Sequence, residues 1–191
     1  IYDNNNGGIY INAPNVELRV YCQSNLIINN AGPGLTLNFG GASPAAHGYI
    51  RNNIISGNYG QLENCSHCPV EGGIYITYWS FSYIEIKNNL LYNNSNSSDG
   101  GSGIGIKRYD TQYGNSIESQ FYNNTFINNN GNSLIYFDGG NVSSYLDISL
   151  TDNNFYSNNV DFVLYQTADP LINAEGNYWN GFTNPATISD M

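Results

Sequence analysis

The chain has 191 residues, of which five are Lys or Arg and fifteen are Asp or Glu, so its formal net charge is −10. This charge excludes nucleic acids and anionic membrane surfaces as partners, because both require clustered basic side chains. The 34 Asn and 21 Gly residues disfavour long helices, while a hydrophobic fraction of 40% disfavours a disordered chain. No apolar run approaches the roughly 18 residues of a membrane-spanning helix, so no membrane span is expected.

Short apolar strands and Asn-rich turns alternate along the chain. In chain order, strands with period-two alternation are predicted at 8–11, 34–37, 73–76, 103–106, 133–136 and 161–164. Between them, an Asn followed by an apolar triplet and further Asn residues recurs every 23 to 36 residues. The first Asn of each repeat is predicted to form a turn ladder: Asn25, Asn53, Asn89, Asn124, Asn154 and Asn177.

Identical turn residues in every repeat favour a parallel solenoid. The strands are too closely joined for helical crossovers, and a meander of hairpins does not require the same turn residue each time. In a solenoid, Asn side chains at equivalent turns hydrogen-bond along a column at a spacing of about 4.7 Å. We therefore predict an all-β, right-handed, single-stranded parallel β-helix of about six coils. Residues 1–191 form one domain, or one unit of a longer tandem or end-to-end array.

Strands such as Gly73–Ile76, the paired Asn of the turns and the Asn-aromatic-Trp sequence at 176–181 together resemble a known family. They are similar to the repeats of the pectin-lyase-like parallel β-helix proteins of microbial surfaces and periplasms. The resemblance covers nearly the whole chain and implies the fold. It leaves the function open, because this repeat serves polysaccharide-processing enzymes, adhesins and surface-layer components alike.

The catalytic patterns that the resemblance would imply are incomplete. The sequence at 106–108 lacks the leading Arg of the hydrolase motif, and His47 is not preceded by Gly. Asp138, Asp147 and Asp152 lie in neighbouring repeats, where single Asp residues are typical of capped turns. We therefore expect no catalytic residue, no metal site and no cofactor, and we interpret the chain as non-enzymatic.

Glycan binding is the alternative hypothesis, because aromatic faces stack on sugar rings. Tyr10 and Tyr75 are predicted at equivalent outward positions of two strands. The column is predicted to be interrupted by Thr36, Gly105, Ile135 and Val163, so a continuous aromatic platform is not expected.

Three cysteines bear on the cellular compartment. Cys65 and Cys68 flank His67, but a structural metal site would also require Cys22 to converge on them. A disulfide is the preferred interpretation, either between Cys65 and Cys68 or from one of them to Cys22.

Five Asn-x-Ser/Thr sequons are candidate glycosylation sites in an exported protein. Asn93 and Asn123 belong to the turn repeat, where a glycan would interfere with stacking. The better candidates, all in loop-like inserts, are Asn64, Asn96 and Asn141.

The two ends of the chain suggest a junction between copies. Asn184 and Pro185 are typical of a helix start, and the helix would run towards Met191. If Ile1 follows Met191 in an array, Ile188, Met191 and Ile1 fall on one face of that helix. These three residues are the predicted subunit junction.

These patterns together favour a structural protein at the cell surface or outside the cell. We expect it to associate head to tail with copies of itself into a filament or surface layer, with bound or covalent glycans as further partners. The alternative is a β-helix that binds or processes a polysaccharide.

Overall fold

The computed structural model describes residues 1–12, 18–40, 46–60, 71–78, 82–97, 100–108, 117–138, 146–166, 171–180 and 188–190. These residues form strands and turns and contain no helix, so none of them lies in a helix that could cross a membrane. All strand pairings are parallel, and the strands belong to three sheets. The chain is therefore all-β, as the sequence predicts.

The chain visits the three sheets in a fixed order. Sheet C contains β2 (Arg19–Gln23), β5 (Ala46–Arg51), β9 (Ser82–Lys87), β13 (Ile117–Tyr122), β16 (Leu146–Thr151) and β19 (Leu171–Asn173). Sheet A follows with β3 (Leu26–Ile28), β6 (Ile54–Ser56), β10 (Leu90–Tyr92), β14 (Thr125–Ile127), β17 (Asn154–Tyr156) and β20 (Tyr178–Asn180). Sheet B contains β1 (Ile9–Asn12), β4 (Leu35–Phe39), β8 (Ile74–Tyr78), β12 (Gly101–Arg108), β15 (Asn130–Asp138), β18 (Asn159–Gln166) and β21 (Ile188–Asp190), with the short β7 (Tyr59–Gly60) and β11 (Ser95–Asn96).

Each strand pairs with its counterpart from the next passage of the chain, which gives a solenoid-like arrangement. Leu26 of β3 lies opposite Ile54 of β6, and Ile54 lies opposite Leu90 of β10. We call one strand from each of sheets C, A and B, taken in chain order, a rung. The first corner joins sheets C and A, and the second corner joins sheets A and B.

The core lies between the three sheets and follows from period-two alternation. In sheet A the central residue of each triplet points inward; Ile27, Leu91 and Phe126 are fully buried. The ring of Phe155 stacks on Phe126 at 5.1 Å and on Trp179 at 4.5 Å between centroids. Side chains that repeat along the stacking direction therefore continue the core from rung to rung.

The C-terminal segment differs from the sequence prediction. Ile188–Asp190 form strand β21 and not a helix, with Ile188 opposite Leu164 of β18. The local capping signal at Asn184 and Pro185, which lie outside the described residues, does not decide the structure here. The open edge of a parallel sheet offers hydrogen-bond partners to every second residue of an added strand. A helix of two turns forms few backbone hydrogen bonds and is less stable than this pairing.

Candidate functional site

The first corner contains a ladder of Asn side chains. The Oδ1 of Asn89 accepts hydrogen bonds from the backbone N–H and from Nδ2 of Asn53, both at 2.9 Å. The Nδ2 of Asn89 also donates to the carbonyl of Ile50, one rung earlier. The same bonds join the members of the first Asn ladder: Asn25, Asn53, Asn89, Asn124, Asn153 and Asn177. The four inner members are buried, so the amides satisfy one another away from water.

The fifth member of this ladder is Asn153, which corrects the predicted Asn154 by one residue. Asn154 begins β17, and Phe155 at the centre of that strand is fully buried. A slip of one residue would turn Phe155 outward, so packing fixes the register. Ser157 occupies a corner position that Asn fills in most other repeats. The pair of adjacent Asn residues after β17 therefore begins one residue later than in those repeats, which shifts the sequence alignment from Asn153 to Asn154.

A second Asn ladder fills the second corner, where the sequence analysis assigns none. Its members are Asn4, Asn30, Asn58, Asn94, Asn129 and Asn158. The paired Asn of the repeat is the signal that could have found it. In both corners the residue before each ladder Asn has a positive φ, as in Asn88 and Asn93. Asn, Asp and Gly tolerate this left-handed backbone, which turns the chain through the corner.

The accessibility of the described sequon residues is the reverse of the prediction. Asn96 is 9% exposed, and its Nδ2 donates to the carbonyl of Gly100 inside the fold, so the structure contradicts it as a glycan acceptor. Asn93 and Asn123 occupy exposed corner positions, because the ladder uses the Asn that follows each of them. Two further candidates, Asn64 and Asn141, lie outside the described residues.

Cys22 is a free thiol on the inner side of β2. Burial raises the pKa of this thiol, which keeps it protonated and unreactive. A disulfide from Cys22 to Cys65 or Cys68 is therefore contradicted. Cys65 and Cys68 lie outside the described residues, and a bond between them stays a prediction.

The outer surface of sheet C carries the main cluster of aromatic side chains. The rings of Tyr21 and Tyr49 stack with centroids 4.8 Å apart. His47 lies 6.4 Å from Tyr49 and 6.1 Å from Tyr83. We call these four residues the aromatic strip. It spans three rungs, and the 55% exposure of Tyr21 leaves its first ring open to solvent.

Charged side chains continue this cluster. Arg51 lies over the ring of Tyr49 and pairs with Glu85, which is only 7% exposed. Lys87 lies 4.6 Å from the centre of the Tyr122 ring. Burial, with a hydrogen bond to Glu85 and its negative charge, raises the pKa of Tyr122 to about 12. Tyr122 therefore remains a neutral donor to the Glu85 carboxylate through the neutral pH range.

The three Asp residues singled out in the sequence lie on different features. Asp138 pairs with Lys107 at 3.3 Å on sheet B, Asp147 is exposed on sheet C, and Asp152 is a first-corner residue with a φ of 56°. The described residues hold no group of three or more His, Cys, Asp or Glu arranged for a metal ion.

The outer surface of sheet B differs from its prediction. Tyr75 is 5% exposed and lies outside the core cluster, so this side of β8 is covered. The side chain of Glu71 covers Gly105 in the neighbouring rung, because a Cβ added to Gly105 would lie only 2.1 Å from the Cγ of Glu71. The pairing register places Tyr136 beside Gly105, where the sequence analysis expects Ile135, and Tyr136 stacks on Tyr165 at 5.5 Å.

Two of the predicted junction residues, Ile1 and Ile188, lie in the first and last described rungs. Ile1 is 50% exposed and lies beside β3, to which its terminal amine donates at the carbonyl of Leu26. Ile188 begins the last described strand of sheet B. Met191 lies outside the described residues. Comparison with protein-family models, with curated proteins and with solved structures finds no match for the chain.

Proposed function

We propose that the chain is a right-handed, single-stranded parallel β-helix of about six coils, akin to the pectin-lyase-like repeat proteins. In this proposal it acts outside the cell as a structural protein that associates head to tail into a filament or surface layer. The observation that carries the proposal is the pair of open edges of sheet B. Within the described residues, β1 pairs only with β4, and β21 pairs only with β18.

The edge at β1 has backbone groups available for another strand. The N–H of Ile9 donates to Gly34 of the neighbouring rung at 2.8 Å. Alternate residues of a parallel strand bond to the same side, so the N–H and C=O of Tyr10 point away from β4. Tyr10 is 65% exposed, and Ile9 and Ile11 are only partly buried. A further rung would pair the backbone and complete the burial of both Ile residues.

The direction of association follows from strand polarity and charge. A parallel sheet continues only if the next copy points the same way, which brings β21 of one copy against β1 of another. Residues 109–191 contain nine of the fifteen acidic residues and none of the basic ones, so contact between two C-terminal ends is disfavoured. A contact between unlike ends does not close, and it propagates. Ile1, Ile188 and Met191 remain the proposed junction.

Electron microscopy and sedimentation of the purified chain over rising concentration test the proposal. The expected result is filaments with the strands perpendicular to the long axis. Tyr10→Pro removes the outward N–H and should leave single units, whereas Tyr10→Ala keeps that N–H and should still assemble. A wild-type chain that stays monomeric at high concentration would contradict the proposal.

Glycan binding is a second candidate, favoured by the aromatic strip on sheet C. Stacked, partly exposed rings beside Arg51 offer a hydrophobic platform with a hydrogen-bond donor at its edge. Calorimetric titration with neutral and acidic oligosaccharides tests it: Tyr49→Ala should abolish binding, and Tyr165→Ala on sheet B should not. Equal heats for all three proteins would remove this candidate.

A further inference from the structure

The outer face of sheet A is free of charge. None of the strands β3, β6, β10, β14, β17 and β20 contains a charged residue, in a chain whose net charge is −10. Sheets B and C both carry charged side chains on their outer faces, such as Lys107 and Arg51. In the two corners that border sheet A, Asp3 and Asp152 are the only charged residues described. The face is therefore the one long surface of the described molecule without charged strand residues.

The same face is mostly apolar and partly exposed: eight of its twelve outward positions hold apolar residues, and the other four hold Ser56, Thr125, Asn154 and Asn180. Its outward positions are the first and third residues of each triplet, because the central residue points into the core. Leu26 is 51% exposed, Ile54 40% and Tyr178 52%. We call the eight apolar outward residues the apolar strip: Leu26, Ile28, Ile54, Leu90, Tyr92, Ile127, Tyr156 and Tyr178.

The strip runs along the stacking direction, because its members face one another across the parallel pairings. Leu26, Ile54 and Leu90 form one column, and Tyr92 and Ile127 belong to the other. Six strands at about 4.8 Å, each three residues wide, give a face of about 300 Å². A stable interface buries about 800 Å² on each partner, so two separate copies would not remain paired through this strip.

End-to-end association removes this limit. In a filament the strips of successive copies continue one another, and ten copies present about 3,000 Å² of uncharged face. The charge distribution favours a second filament as the occupant. Two copies with a charge of −10 repel each other across charged faces, whereas two uncharged strips meet without burying a charge.

We propose that the apolar strip of sheet A joins filaments side by side, each strip facing the same strip of a neighbouring filament. This inference rests on the proposed head-to-tail association and extends it from a filament to a bundle or layer. The contact is isologous, since the same patch serves both partners. Lateral contact is absent for single copies and appears once filaments have formed.

Electron microscopy of assembled wild-type protein, Ile54→Asp and Ser149→Asp tests the inference. Both variants add one carboxylate at an outward position, on the strip in the first case and on sheet C in the second. Ile54→Asp should abolish side-by-side pairing and leave single filaments of unchanged length, because pairing would bury an unpaired charge. Ser149→Asp should pair like the wild type. Circular dichroism and thermal melting establish that both variants fold, and Ile127→Asp is the substitute if Ile54→Asp does not.

The outcomes separate this inference from the proposed function. Wild-type filaments that remain single would overturn lateral pairing and leave head-to-tail association standing. Pairing that survives Ile54→Asp, or that Ser149→Asp abolishes equally, would also overturn it. Single filaments that co-sediment with phosphatidylcholine vesicles in an Ile54-dependent way would assign the strip to a lipid surface and overturn pairing. Absence of any filament would contradict the proposed function itself.

Discussion

Sheets A and C are built from the same rungs and share one corner, yet their outer faces have opposite character. In sheet A every strand has three residues, the strands β3, β6, β10, β14 and β17 lie between two corners with Asn ladders, and the face of the sheet is uncharged. In sheet C most strands have five or six residues, and the outer face carries Arg19, Arg51 and Lys87. The connections from sheet B into sheet C range from three to eight residues. A ladder at both ends of a strand fixes its length, whereas a strand with one free end tolerates variation.

The largest expected effect comes from removing a ladder residue. Asn89→Ala leaves the buried N–H of Asn53 without its acceptor and removes two further bonds of the Asn89 amide, one from Nδ2 of Asn53 and one to the carbonyl of Ile50. We expect the free energy of unfolding to fall by about 2–6 kcal/mol, since the stranded N–H costs about 1–3 kcal/mol and each of the two other lost bonds about 0.5–1.5 kcal/mol. Chemical denaturation measures the change. The matched control is Asn88→Gly, which keeps the left-handed corner and should change stability by less than about 1 kcal/mol. Equal losses in the two variants would mean that the corner does not depend on the ladder.

A smaller effect should distinguish a corner Gly from a strand Gly of sheet C. Gly57 has a φ of 62°, and a Cβ there would lie 2.3 Å from Oδ1 of Asn29. We expect Gly57→Ala to destabilise the fold by about 1–3 kcal/mol, from backbone strain and the displaced amide. At Gly48 in β5 the nearest atom is the end of the Ile84 side chain at 3.2 Å, which can shift. Gly48→Ala should have the smaller effect in thermal melts; the reverse order would refute the corner argument.

The two regions also differ in how far the sequence predicts them. The all-β class and five of the six members of the first Asn ladder are readable from the repeat, because hydrogen bonding requires Asn at each of those positions. The register error at Asn154 arises where Ser157 replaces Asn, and only the burial of Phe155 corrects it. The predicted exposure of Tyr75 is wrong because the alternation of a strand predicts which side a residue faces and not whether that side is covered. The helix predicted before Met191 is wrong because sheet pairing overrides a local cap.

The sheet C cluster should respond to pH through Tyr122. The pKa of Tyr122 is about 12 in the folded protein against an ordinary value of 10, so folding favours the neutral phenol. Its contribution to stability is present below pH 10 and is lost as the pH rises from about 10 to 12. Glu85→Gln removes the negative neighbour, which should lower the pKa of Tyr122 towards 10 while burial still holds it up. Ultraviolet titration of tyrosinate, assigned with Tyr122→Phe, measures the shift.

The ion pair in the same cluster should contribute little to stability. Arg51→Met keeps the side-chain stem over Tyr49 and removes the charge that pairs with Glu85. We expect a loss of about 1 kcal/mol, because the Arg51 side chain is 33% exposed and solvent screens the pair. Chemical denaturation in low and high salt measures it. A loss equal to that of Asn89→Ala would show that the sheet C cluster and the first corner depend equally on polar contacts.

The smallest effect on stability concerns the corners that border sheet A. If the chain is secreted by a host that attaches N-linked glycans, we expect them on Asn93 and Asn123, whose side chains are exposed, and not on Asn96. Ser95→Ala and Thr125→Ala remove the two sequons without altering any Asn and should each lower the intact mass by one glycan. Asn96→Gln should leave the mass of the glycan portion unchanged. A glycan found on Asn96 in folded protein would mean that the hydrogen bond from Nδ2 of Asn96 to the carbonyl of Gly100 is broken.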